Sequence, residues 1–121
     1  MTHLPTHGTA MPRRVQRRRT AGWKMPPNTV YVGRPSKWGN PFSVAYWTAG
    51  GMTSRGYAQA LVTEQFRACL LGEDEPEDPE KVERIAWIRE HLKELRGKNL
   101  ACWCKPGTPC HADILLEEAN R

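Results

Sequence analysis

No stretch of this 121-residue chain approaches the run of about 18 apolar residues that a membrane-spanning helix needs. The N-terminus also lacks the apolar centre of a secretory signal. A cytoplasmic setting is therefore expected, one in which thiols stay reduced and clustered cysteines mean metal or catalysis more often than disulfides. Phenylalanine is scarce, with two residues against five tryptophans, so aromatic contacts should rest on indoles. Acid is missing altogether from residues 1–24, which hold Arg13, Arg14, Arg17, Arg18, Arg19 and Lys24. The formal net charge of +5 is thus a poor average, because the rest of the chain carries 12 basic against 13 acidic residues. The basicity belongs to an N-terminal arm.

Residues 1–12 show no hydrophobic periodicity and read as an extension without fixed structure; residues 13–121 read as one domain that includes the basic arm. Met11-Pro12 is a candidate alternative start of translation. Thr29–Gly33 predicts a short strand ending at glycine. The following loop, Arg34-Pro-Ser-Lys-Trp-Gly-Asn-Pro-Phe42, combines turn residues with two cations and two aromatics, too specific a composition for a plain connector. Ala58, Val62, Phe66 and Cys69 recur at helical spacing and predict an amphipathic helix, with Cys69 in its buried stripe. Pro79 opens a second helix, whose stripe is Val82, Ile85, Ile88, Leu92 and Leu95. Trp87 and His91 fall on its opposite face, as a solvated pair or a contact surface. Gly97 ends that helix. Asn99–Cys104 reads as a buried strand, Lys105-Pro-Gly as a turn, and Thr108-Pro109 as the cap and first position of a last helix.

This order predicts an α/β fold, a small Rossmann-like three-layer domain with a short, mostly parallel sheet. Two clear strands make a thin sheet, which Val44–Trp47 as a third strand, or a homodimer, would complete.

Three of the four cysteines and one histidine fall within Cys102–His111. As a metal site, Cys102, Cys104, Cys110 and His111 form a three-cysteine, one-histidine set, a known composition for structural zinc. The spacing argues against it. Residues two apart on a strand lie roughly 6.6 Å apart, whereas sulfurs on one zinc need about 3.7 Å, and helical neighbours diverge by about 100°. The second reading uses the helix N-terminus, whose free N–H groups favour anions and thiolates. Cys110 would then be a nucleophile with His111 or Asp113 as its proton-transfer partner, or the turn would hold a phosphate beside Lys105. Arg17, Arg19, Trp23 and Lys24 combine phosphate-binding charge with a stacking ring. Arg34, Lys37, Trp38 and Asn40 repeat that theme in the loop, with Trp38 to stack a base. The partner implied is a nucleotide or nucleic acid.

Three motifs together resemble a family of phages and bacteria known as domain of unknown function 4326. They are Arg17-x-Arg-Thr-x-Gly-Trp-Lys-Met-Pro26, Val30-Tyr-Val-Gly-Arg-Pro-Ser-Lys-Trp-Gly-Asn-Pro-Phe42 and Cys102-Trp-Cys-x-Pro-x-x-x-Cys-His111. The resemblance implies that the arm is part of the domain and that the setting is the cytoplasm of a phage-infected bacterium; it implies no settled activity. The C-terminal segment from Leu100 to Ala119 is also similar to domain of unknown function 488, which implies a Rossmann-like fold and action on nucleotides or nucleic acids. Three functional readings follow: a nucleotide- or nucleic-acid-directed domain, with or without Cys-His catalysis; a non-catalytic zinc-stabilised nucleic-acid-binding module; and a host-directed interaction factor using Trp87 and His91.

Overall fold

A computed structural model describes residues 11–121. The extension read over residues 1–12 lies, for residues 1–10, outside the described residues. The chain is engaged from Arg13 onward: its N–H donates to Asn99 Oδ1 and its carbonyl accepts from Leu100 N.

Helices and strands mix in one α/β layer arrangement, with two strands first, then three helices, a third strand and a last helix. β1 is Arg14–Gln16, β2 Thr29–Tyr31, α1 Val44–Thr48, α2 Arg55–Leu70, α3 Pro79–His91, β3 Asn99–Cys102 and α4 His111–Ala119. The three strands form one sheet in the order β1-β3-β2, and both pairings are parallel. In register, Val15 lies beside Ala101 and Ala101 beside Tyr31. Leu100, Ala101 and Cys102 are all buried, as expected for a central parallel strand covered on both faces. Because the strands are parallel, residues 17–28 must return the chain from the C-terminal to the N-terminal edge of the sheet, and they do so without a helix. The second crossover holds α1, α2 and α3. Among the described residues no helix is long and apolar enough to cross a membrane.

β1 lies inside the basic arm, where charge hid it from the sequence pattern. An edge strand needs only backbone pairing and one buried side chain, and Val15 supplies the latter. Val44–Trp47, expected as a strand, is helical instead. The Ser43 hydroxyl accepts the Ala45 N–H and caps α1, and so short an apolar run does not reveal its own period.

The predicted stripe of α2 is buried as read, after the Ser54 cap. α3 begins with Asp78 as cap and Pro79 behind it, and buries Ile85 and Ile88. Leu92–Leu95 continues it as a tighter 3-10 turn that buries Leu95. Trp87 is not a solvated residue. It is half-buried, edge-on to Trp38 at 4.9 Å between ring centres and stacked on His91 at 4.2 Å. The core joins Val32, Phe66, Ile88, Leu95, Leu100 and Leu115, with α4 packed on β3 and against α2.

Candidate metal centre and basic aromatic face

The turn after β3 decides where α4 starts. The Arg14 guanidinium donates to the carbonyls of Thr108 and Lys105 at 2.8 Å each, and pairs with Asp113 at 2.8 Å. The Thr108 hydroxyl, expected as a helix cap, donates instead to the Lys105 carbonyl at 2.6 Å. Gly107 sits at φ +82, the left-handed conformation this tight turn requires. The helix therefore begins two residues later than the Thr108-Pro109 pattern predicts, with Cys110 as its N-cap in extended conformation (φ −154, ψ 140). Cys110 and His111 are thus not helical neighbours, and the divergence expected of helical neighbours does not apply to them.

The strand objection to clustered sulfurs also dissolves, because β3 ends at Cys102 and the chain bends at Trp103. The sulfurs of Cys102, Cys104 and Cys110 all lie within 4.8 Å of one another, and those of Cys110 and Cys102 are 3.4 Å apart. These three side chains could hold a metal ion. Cys102 and Cys110 are buried; Cys104 is half-buried, with Gln59 Nε2 3.9 Å from its sulfur. Hydrogen bonding with Cys102 first, and then Cys110, pushes the Cys104 pKa well down. The same interactions, with burial, push Cys110 far up and hold it as a thiol.

His111 is buried, which lowers its pKa and keeps the ring neutral. Its Nε2 lies 2.8 Å from the Val32 carbonyl, and its Nδ1 lies 3.8 Å from the Cys110 sulfur. Phe66 meets the ring edge-on. The structure brings the Cys110 sulfur and the His111 ring together at 3.8 Å, whereas the Asp113 carboxylate is paired with Arg14, and the Cys110 thiol is buried. The Lys105 side chain is exposed on the turn, while its carbonyl holds Arg14 and Thr108.

The Arg34–Phe42 loop turns inward. Arg34 donates to the carbonyls of Asn40 and Phe42. Asn40 donates to Val62 O and accepts from Phe42 N, each at 2.9 Å. Trp38, expected to stack a base, is a core residue against Trp87, because the loop folds back over α3. Lys37 lies over the Trp87 ring at 5.4 Å. In the arm, Trp23 is half-buried behind a turn closed by its N–H on Thr20 O, and Lys24 is exposed.

Among the described residues the exposed tryptophan is one that the sequence reading placed in a buried strand. Trp103 is 39% exposed, and its ring has the Arg19 guanidinium at 4.6 Å and that of Arg17 at 5.0 Å. Arg17 also covers the Tyr31 ring at 4.5 Å. Tyr31 lies across Gly33, where an added Cβ would fall 2.5 Å from the hydroxyl. Its hydroxyl donates to the Arg34 carbonyl. The available signal was the spacing of Cys102 and Cys104, which can share one ion only if the chain leaves the strand at Trp103.

The fold and these side chains define a small α/β protein with a cluster of three cysteines and a cation-aromatic stack on the intervening Trp103. The profile of the family described as Domain of unknown function (DUF4326) matches residues 15–121, and the chain belongs to that family. An uncharacterized 12.4 kDa protein in the nrdA-td intergenic region of Enterobacteria phage T4 is 52% identical over 33 residues. That match spans 27% of this chain and 30% of the phage protein. No solved structure matches.

Proposed function

We propose that this chain is a non-catalytic, zinc-stabilised module that binds single-stranded nucleic acid through Arg17, Arg19 and Trp103. The observation that carries this reading is the exposed indole flanked by two guanidiniums. A base that takes the place of the Arg19 guanidinium over this ring gains a stacking surface worth about 1–3 kcal/mol, and the displaced arginine is left to attract a neighbouring phosphate. Arg13 and Arg18 add exposed charge on the same arm. Tyr31 ends β2, Arg17 follows β1 and Trp103 follows β3, so the stack gathers beyond the carboxyl ends of the strands. Ligands of Rossmann-like sheets collect there, and we assign the domain to that type. Nothing in the stack distinguishes one base from another, so binding is tolerant of sequence.

Catalysis by Cys110 is disfavoured by its burial and by the engagement of Asp113. Zinc at the cysteines would instead steady the bend that presents Trp103. Fluorescence anisotropy with a labelled oligothymidylate tests the reading. Trp103→Ala should weaken binding about five- to 150-fold, the equivalent of one lost stack. Unchanged affinity in a folded Trp103→Ala protein would sink it.

A further inference from the structure

We infer that His111 closes the zinc site through Nδ1, so that the ion has four protein ligands: the thiolates of Cys102, Cys104 and Cys110 and one imidazole. The inference rests on the zinc reading above and specifies it. His111 stands outside the 4.8 Å circle that holds the three sulfurs, and its membership follows from the chemistry of its ring.

The Val32 carbonyl 2.8 Å from Nε2 can only accept, so Nε2 carries the hydrogen. A neutral imidazole protonated at Nε2 has a bare lone pair at Nδ1. Metal-binding histidines are held in just this way, with the second ring nitrogen donating to a carbonyl or carboxylate that fixes the tautomer. The Cys110 sulfur lies 3.8 Å from Nδ1, and the Trp38 backbone also comes within reach of the ring. Ligand atoms on a common tetrahedral zinc, at about 2.3 Å for sulfur and 2.0–2.1 Å for nitrogen, lie roughly 3.5–3.8 Å apart. The 3.4 Å between Cys110 and Cys102 and the 3.8 Å between Cys110 and His111 lie close to that range. The extended backbone at Cys110 lets two adjacent residues serve one ion. Closing the site requires the His111 ring to approach Cys102 and Cys104, and the thiols would release their protons as the ion enters.

Four protein ligands make the ion structural, since catalytic zinc keeps an open position. Its ligands come from the end of β3, the bend and the first residues of α4, so it ties three segments together. Trp103 lies between two of the ligands and is held outward by both. Cys69 is a free, buried cysteine outside the cluster and serves as an internal control.

Zinc-edge X-ray absorption on the reduced, zinc-loaded full chain tests the inference. It should read three sulfurs near about 2.3 Å and one nitrogen near about 2.0–2.1 Å, with the outer-shell scattering of an imidazole ring. His111→Asn should remove that ring signature, keep the sulfurs and weaken zinc binding by more than about tenfold, the lower end of the loss seen when only a supporting residue is removed. Cys69→Ala should change nothing at the ion. Three sulfurs with a water oxygen and no ring scattering would overturn the role of His111 while leaving zinc in place, as would four sulfurs. A folded, fully reduced chain that takes up no zinc would overturn the zinc reading itself. The wild-type spectrum decides the matter even if His111→Asn does not fold.

Discussion

Two exposed aromatic surfaces of this protein carry opposite charge. One is Trp103 with Arg17 and Arg19. The other is a groove of about 570 Å³ where Tyr46, 76% exposed, and Trp47 face Asp74, Glu75, Glu77 and Asp78. Both offer rings of the right size for a base. In the groove, the Trp47 indole N–H donates to Gln65 and the one lining cation, Lys81, is paired with Asp78. A phosphate brought there would meet four carboxylates. An exposed ring alone therefore does not define a nucleic-acid site; the charge beside it decides which of two similar surfaces a polyanion can approach.

Four changes would break or sharpen this contrast. The largest effect is expected from the ion. Structural zinc contributes about 10–16 kcal/mol to the folding of isolated zinc-finger peptides. Part of that stabilisation should be lost when a chelator is added or when Cys110→Ala removes a ligand. Thermal unfolding with and without chelator reads the difference, and an unchanged midpoint would remove the ion from the account. Next comes the indole itself: Trp103→Ala should cost about 1–3 kcal/mol of oligonucleotide binding, whereas Tyr46→Ala should cost none, and equal losses would erase the distinction between the two surfaces. A smaller effect falls on the salt dependence of binding. Arg19→Gln should flatten the slope of log affinity against log salt by about 0.7 for each single-strand phosphate that is no longer neutralised. Glu75→Gln should leave that slope as it is.

The smallest effect concerns acid stability on the groove side. The Glu80 N–H first, and then Lys81, hold the Asp78 carboxyl below the usual carboxylate range. A group whose pKa is depressed by folding adds stability that is whole above its unfolded value, near about 3.9, and is lost as pH falls through the lower folded value. Asp78→Asn should therefore reduce the steepness of acid unfolding between those limits and leave oligonucleotide binding at neutral pH unchanged. Titration of unfolding against pH checks it.

Much of the helical architecture was readable because it is local. The stripe Ala58, Val62, Phe66 and Cys69 and the opening of α3 at Pro79 need only near neighbours in the chain. What escaped depends on distant contacts. β1 exists because it pairs with β3, more than 80 residues later, and its single apolar residue gave no periodic signal. The start of α4 moved because Arg14, from the other end of the chain, holds the turn carbonyls. The cysteine cluster was legible as a set of residue types, but ideal strand and helix spacing argued against its geometry. A bend at Trp103 and an extended cap at Cys110 supply what regular elements could not. Trp38 and Trp103 exchanged roles because composition cannot tell which indole a loop folds over.

The most direct test of the contrast is a proton–nitrogen correlation spectrum of the zinc-loaded chain titrated with a short single-stranded oligonucleotide, with the tryptophan indole signals assigned by mutation. The account predicts that the Trp103 indole signal and the backbone signals of Arg17 and Arg19 shift, while the Trp47 indole stays in place. Movement of Trp47 with Trp103 unaffected, or no movement at either, would contradict it.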